Sequence, residues 1–346
     1  MRFYKLDPLL DHRWDDFVAV HSGASVFHRS AWLKALASTY GYCPTVLTSA
    51  PPGEPLTDGM VFCEVKSWIT GRRLVSLPFS DHTEPLLSDP SQVPELYEWM
   101  REEWGRQYWK YIELRPPSGN FYASGNMRAS QSFWLHTLDL SPPTGHLFQR
   151  CHKSCMQRRI LHAERQGLSY EKGRSAEVLN AFYRLLVMTR RRHHLLPQPF
   201  SWFRNLLQFM SSDAEIRVLH YAGTPIAAIF TMRHRGTVVF KYGCSDHRFH
   251  HLGGTPLLFW KLIQETKAEG AAKIDLGRSE IDNVGLVRFK DHLGTLRKEM
   301  NYFRYTNEAR TPVAMATRLK VFRSLSSKLP GALSARASAL IYGHFG

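Results

Sequence analysis

Apolar residues recur at helical spacing through Trp32, Leu33 and Leu36, and the run is framed by Ser30 and Gly41. A serine can accept from the unpaired amides that begin a helix, and a glycine can take the left-handed residue that ends one. The pattern therefore predicts a helix over Ser30–Tyr40 with Ser30 as its cap. Extended, β-branched runs follow at Thr45–Ser49, Met60–Ile69 and Arg72–Leu77, divided by the Pro/Gly-rich stretch Pro51–Gly59. Leu96, Trp99, Met100 and Trp104 share one face of a second predicted helix, Val93–Trp109. Strands are expected at Tyr111–Arg115 and Phe133–Leu140, and Ser141-Pro-Pro-Thr-Gly145 reads as a linker.

The second half repeats this order. Helices fit His152–Gln166 and Ala176–Leu196, the latter with Val178, Phe182, Leu185 and Thr189 along one face. Three strands are strung on short turns: Glu215–Tyr221, Pro225–His234 and Thr237–Gly243, joined through Ala222-Gly-Thr224 and Arg235-Gly236. Thr255-Pro256 reads as a cap followed by proline at the first helical position, opening a helix that runs to Ala268 before Gly270. Strands follow at Ala272–Leu276 and Lys298–Thr306. The repeated order predicts two α/β domains of α+β type, with mixed, mostly antiparallel sheets flanked by helices. We expect them over residues 1–145 and 146–308, with a basic helical segment over 309–346, its helices spanning Pro312–Gly346.

Charge is unevenly placed in this chain of 346 residues and formal charge +15. His146–Asn205 holds twelve Lys/Arg against three Asp/Glu, and Ala309–Gly346 holds six against none, which leaves the remainder neutral. Such concentration raises the local density of an anionic partner, whether a coenzyme, a tRNA, a nucleotide sugar or an anionic membrane face. The aromatic residues of the first basic stretch sit at core spacing and are not interleaved with the basic ones, which argues against a base-stacking platform. No unbroken apolar stretch marks a signal peptide or a bilayer span, so a cytoplasmic protein is expected, with peripheral contact to an anionic membrane allowed.

Five cysteines are few and odd in number, which disfavours a disulfide framework. Cys151-His152 with Cys155 offers half of a tetrahedral zinc site. No second Cys/His pair at the usual spacing follows, so no metal is predicted there. Ser80-Asp81-His82 brings three triad residue types together, yet triad members must converge from different elements. The segment reads as a shaping loop, not a hydrolase centre.

The chemistry concentrates between Phe240 and Gly294. Lys241-Tyr242-Gly243-Cys244-Ser245-Asp246 leaves a strand, and His247 to Thr255 leads into a helix whose amino end offers unpaired N–H groups and a positive dipole. Gly253-Gly254 permits close backbone approach to a phosphate, and Arg248 adds charge. Asp275 and Arg278 stand at a strand end, Asn283 follows, and Lys290 could set a cation beside a developing oxyanion.

Taken together, Phe27-His-Arg-Ser-Ala-Trp32, Leu77-Pro-Phe-Ser-Asp81, Ile112-Glu-Leu-Arg115, Arg159 to Gly167, Ile274-Asp-Leu-Gly-Arg278 and Phe289-Lys290 with Gly294 resemble the Fem-like GNAT group. That group includes the Fem peptidyltransferases and the acetyltransferase-like proteins of cellulose and exopolysaccharide synthesis. The resemblance implies a doubled GNAT fold and an enzyme that transfers an acyl or aminoacyl group to an amine. In a GNAT domain the acyl carrier docks at this strand-to-helix passage, so Tyr242, Gly243, Arg248, Gly253, Gly254 and Thr255 are expected to bind it, with acyl-CoA the expected co-substrate and no permanently bound cofactor. Lys290 matches the Phe-Lys lysine of the Fem active site. Asp275 or Asp246 would help deprotonate the amine, and Arg192, Arg278 and Asn283 would hold the acceptor, a small amine or a cell-envelope precursor. The chain departs from the pattern in two places. No Gln or Arg stands at the usual spacing before the glycine pair, and no heptad-rich helical hairpin appears, which favours acyl-CoA over aminoacyl-tRNA. A non-catalytic protein that holds an anionic glycan is the alternative from another class.

Overall fold

A computed structural model of the chain describes residues 2–68, 71–87, 89, 93–117, 127–306 and 341–344. They form two compact units: residues 2–133 with 299–306 and 341–344, and Trp134–Lys298. The linker expected at Ser141–Gly145 falls inside the second unit, where Thr144 already begins a helix. Of the C-terminal helices expected over Pro312–Gly346, all but the helical residues 341–344 lie outside the described residues.

In the first unit β1 (Tyr4–Leu6), β2 (Pro44–Thr48), β3 (Met60–Val65) and β4 (Arg73–Val75) pair antiparallel in turn, and β5 (Ile112–Leu114) joins β4 in parallel. The far side of β5 is taken by the end of β12 (Leu296–Tyr305), with Phe303 opposite Leu114. Helices α1 (Arg13–Val20), α2 (Ser30–Tyr40) and α3 (Val93–Gln107) complete it, and Leu96 and Met100 of α3 pack on Phe62, Leu74, Ile112 and Phe303. Gly41 ends α2 at φ 71°, as expected. Ser30, however, is the first helical residue and not the cap: its N–H donates to Asp15 Oδ1 (3.1 Å), a carboxylate lent by α1.

Two of the sequence motifs meet here in a buried ion network. Glu113, 2% exposed, lies 2.8 Å from Arg115 Nη2 and 2.7 Å from Arg304 Nη2. Arg115 Nη1 also donates to the Leu77 carbonyl (2.7 Å), in a loop where Leu77 (φ 119°) and Phe79 (φ 61°) hold positive dihedrals that side chains disfavour. Tyr302 donates to the Asp81 carbonyl (2.7 Å), so Ser80-Asp81-His82 is a braced loop.

In the second unit β7 (Ser169–Gly173), β8 (Ala214–Tyr221), β9 (Thr224–His234) and β10 (Thr237–Ser245) again pair antiparallel, and β11 (Lys273–Glu280) joins β10 in parallel. The same sequence of strand senses thus occurs twice in the chain. Beside β11 lies the second half of β6 (Met127–Asp139). The strands form where β-branched and aromatic residues cluster: β9 is buried on both faces over seven consecutive positions, the burial of an inner strand. Ala222 and Gly223, both at positive φ, make the two-residue turn that the twist of a hairpin favours.

Helices α4 (Thr144–Arg150), α5 (Arg158–Ala163), α6 (Ala176–Arg192), α7 (Phe200–Met210), α8 (Gly254–Ala268) and α9 (Val284–Asp291) flank this sheet. The helix expected from His152 is broken: Lys153–Gln157 is a π-turn ahead of α5. Ser175 caps α6 by accepting the Val178 N–H, and Arg190, Arg191 and Arg192 in its last turn oppose the helix dipole. Nine residues of α8 are buried, including Leu258, Phe259, Leu262 and Ile263, which seat it in the core beneath Ile226 and Ile274. That burial fixes where α8 begins.

Candidate functional site

β10 pairs with β11 only over Thr237–Val239 against Lys273–Asp275, although both strands run on beyond that point. Its other edge follows β9 to Ser245, with a bulge between Phe240 and Tyr242. A bulge inserts an unpaired residue and turns neighbouring groups out of the ladder. Past Val239, β10 therefore offers backbone to an opened edge. Thr189 of α6 steadies the end of the strand: its hydroxyl donates to the Ser245 carbonyl (3.1 Å) and accepts the Ser245 N–H (3.0 Å).

Two cavities flank this stretch, and Gly285 lines both. One, about 410 Å³, sits at the amino end of α8 between Arg159, His250, Gly254, Thr255, Arg288 and Phe289. No side chain caps α8, whose N-cap is Gly253 in the left-handed conformation (φ 73°). Uncapped N–H groups with two guanidinium groups nearby suit an anion such as a phosphate. The other cavity, about 1090 Å³, is walled by α6 and β10 and includes Arg190, His193, His194, Lys241, Tyr242 and Asn283.

Most expected carrier-binding positions gather here. Tyr242 and Gly243 line the larger cavity, and Gly254 and Thr255 the smaller. The Tyr242 ring is fixed by Trp202, whose indole N–H donates to its hydroxyl (2.8 Å). The cap is Gly253 and not Thr255, because a Cβ at residue 253 would stand 2.6 Å from the Arg159 carbonyl oxygen. That glycine lets α8 start hard against α5.

Other positions take different parts. Asp246, 2% exposed, accepts the Arg248 N–H (3.0 Å) and its guanidinium (Nη2 at 2.6 Å). The Arg248 side chain beside Asp246 holds this carboxyl below the usual range, so it is a weak base, and Arg248 is already engaged. Asp275 is buried and accepts the Gly277 N–H at 2.7 Å. Lys290, 3% exposed, donates from Nζ to the carbonyls of Gly277 (3.0 Å) and Arg278 (3.1 Å), tying α9 to β11. Neither of the two cavities is lined by Lys290, Asp275, Arg248, Arg278 or Arg192. Asn283 caps α9 through the Leu286 N–H while lining the larger cavity. Arg192 is exposed at the end of α6, two residues past Arg190, which does line it.

Sequence reasoning passed over the histidines. Partial desolvation, with the charges of Arg192 and Arg190 beside it, holds His193 below the usual histidine range although the residue is exposed at the end of α6. Burial also lowers His250, whose Nε2 lies 2.8 Å from Ser245 Oγ. Both are thereby biased toward the neutral form, in which one ring nitrogen offers a lone pair. The signal for His193 was present in the pair His193-His194 closing a helix of apolar periodicity.

Residues 149–291 match the family model described as Acetyltransferase (GNAT) domain, which covers α5 to α9 and the whole opened strand. The fold is that of the Fem-like GNAT group, as three solved structures bear out. FemX has a TM-score of 0.68 at 13% identity, over 93% of this chain and 100% of that one. The C-terminal domain of a putative lysylphosphatidylglycerol synthetase from Agrobacterium fabrum has a TM-score of 0.55 at 15% identity, over 92% and 95%. A tandem GNAT protein from the clavulanic acid biosynthesis pathway has a TM-score of 0.56 at 12% identity, over 90% and 99%. No curated protein matches the sequence. Among the described residues no helix is long and apolar enough to cross a membrane.

Proposed function

We propose that the chain is an acyltransferase that moves an acyl group from a phosphate-bearing thioester, of the acyl-CoA class, to a primary amine. The carrier's phosphates lie against the amino end of α8 between Arg159 and Arg288, and its thioester reaches along the opened edge of β10. The acceptor enters the larger cavity, whose Arg190, His193, His194 and Lys241 favour an amine that also bears an acidic group. The observation that carries this reading is the meeting of the two cavities at Gly285 beside the bulge of β10.

The amine attacks the thioester carbonyl, the C–N bond forms, and collapse of the tetrahedral adduct breaks the C–S bond to release the thiol. Backbone N–H groups on the opened edge stabilise the oxyanion, and His193 takes the amine proton. Lys290 acts at one remove, by holding the carbonyls of β11. Calorimetry with acetyl-CoA and CoA, then thiol release with a panel of amine-bearing cell-envelope precursors, tests the reading. Saturable acyl-CoA binding and amine-dependent thiol release are expected. His193→Gln should lower turnover about 10²-fold while carrier affinity holds, since general-base catalysis contributes on that order. Absence of acyl-CoA binding removes the carrier assignment.

The Fem resemblance supports a second reading, with aminoacyl-tRNA as donor. Transfer from charged tRNA without acyl-CoA binding favours this donor, and the basic stretch around α5 and α6 would then carry the nucleic acid.

A further inference from the structure

The half-formed Cys/His motif of the sequence is joined in the fold by a residue far along the chain. His152 caps the π-turn ahead of α5, Cys155 lies within that turn, and His292 follows α9. One backbone bond brings them together: the His152 N–H donates to the His292 carbonyl at 2.8 Å. The two imidazole rings lie tilted by 39° with centroids 4.2 Å apart, and the ligand atoms of all three residues lie within 4.8 Å of one another. Ser154 Oγ stands 3.4 Å from His152 Nδ1 and 3.9 Å from Cys155 Sγ, so both face the same small polar space. The other cysteine of the motif takes no part: Cys151 is buried and its thiol lies 3.4 Å from the Leu147 carbonyl.

We propose that His152, Cys155 and His292 form a binding site for a zinc-class divalent cation, with a fourth position open to water or a small anion. Two imidazoles and a thiolate are the donors such a borderline-soft ion prefers. Zinc–nitrogen bonds of about 2.0–2.1 Å and zinc–sulfur bonds of about 2.3 Å put tetrahedral ligand atoms roughly 3.5 Å apart. Ligand atoms within 4.8 Å leave on the order of 1 Å to close, and His152 and Cys155 are exposed. His152 Nδ1 accepts the Cys155 N–H at 3.2 Å, so cation entry exchanges this bond for coordination, and Cys155 gives up its thiol proton. Cys155 and His292 also line the smaller cavity, where the open position would present positive charge to an anion held by Arg159 and α8. The site stands whether or not the transferase reading does, because its ligands are none of the residues assigned to acyl transfer.

Full-length protein without an oligohistidine tag, stripped with chelator, is titrated with Zn²⁺ by competition and with Co²⁺ by absorbance. One equivalent should bind, and the Co²⁺ form should show thiolate-to-metal absorption in the near ultraviolet with strong four-coordinate bands in the visible. Cys155→Ser should abolish the thiolate band, and both it and His292→Ala should weaken Zn²⁺ by at least about tenfold, since even outer-shell changes cost that much. Cys43→Ser, at another exposed thiol, should change nothing. A Co²⁺ spectrum without the thiolate band, or Zn²⁺ affinity unchanged in Cys155→Ser and His292→Ala with unaltered circular dichroism, overturns the proposal.

Discussion

Replacing Gly253 with alanine is the sharpest test of how α8 is seated. Two costs arise together. The residue holds φ 73°, and a side chain in the left-handed region costs about 1–2 kcal/mol. The new Cβ would also lie 2.6 Å from the Arg159 carbonyl oxygen, a backbone atom of α5 that cannot rotate aside, and overpacking of this kind costs about 1–3 kcal/mol. The sum, about 2–5 kcal/mol, is a large share of the roughly 5–15 kcal/mol that holds a domain folded. For a unit of this size, a loss of about 3 kcal/mol lowers Tm by roughly 6–12 °C. The neighbouring Gly254→Ala is the control. Its Cβ would come closest to Ile226 Cδ1 at 3.2 Å, the movable end of a side chain, with Ile226 Cγ1 and Leu219 Cδ1 at 3.8 Å, and its φ lies outside the left-handed region. Urea denaturation of both variants, with CoA titration of the folded protein, reads the two effects separately. Gly253→Ala should unfold earlier and bind the carrier more weakly, because the N–H groups of α8 move with its start. Gly254→Ala should cost clearly less than Gly253→Ala, about 1 kcal/mol or under, because the Ile226 side chain can yield by a few tenths of an ångström and no left-handed dihedral is involved. A Gly253→Ala protein as stable as the parent refutes the seating of α8 against α5.

Lys290→Met should destabilise the second unit by about 1–3 kcal/mol, the cost of leaving the buried Gly277 carbonyl without its donor; unchanged urea stability would mean the ammonium acts elsewhere. Burial, and then the charge of Lys290, hold the fully buried His136 below its ordinary range, against the opposing pull of Asp291, whose Oδ1 lies 3.4 Å from the ring Nε2. The unfolded chain therefore takes up a proton that the folded one refuses. Stability should fall as pH drops below about 6.5, and His136→Leu should flatten that slope in denaturation series at several pH values. Arg288→Ala should weaken CoA binding about 3- to 10-fold and reduce its salt dependence, whereas Arg248→Ala should change affinity less than twofold, because its guanidinium is held by Asp246; calorimetry at two ionic strengths measures both.

Much of this architecture is legible in the sequence, and the exceptions have physical causes. β8, β9 and β10 fall within a residue or two of expectation because β-branched runs alternate with turn residues that allow few other conformations. α7 escaped notice although Trp202, Phe203, Leu206 and Met210 sit at helical spacing, since Pro197 and Pro199 read as punctuation when one of them is its N-cap. α9 is short and half of its residues are exposed, so it carries little periodicity. At the site, the glycines and aromatic residues of the strand-to-helix passage were readable from local backbone needs. The parts of Asp246, Asp275 and Lys290 were not, because each depends on which N–H or carbonyl the fold sets beside it. His292 is the extreme case: its nearness to His152 is a property of topology alone.

The path of the chain also sets an order in time. The last strand beside β5 in the first unit is β12, and Phe303 meets Leu114 across nearly two hundred residues of intervening sequence. A ribosome that has delivered everything through β5 has made a sheet with one edge unpaired, and that edge waits while the second unit is synthesised. Loop closure over such a span is slow and costs entropy before any contact repays it. Nascent chains halted before Leu296 should thus carry an exposed strand edge prone to pairing with other chains, and release of the final strand should coincide with loss of that tendency.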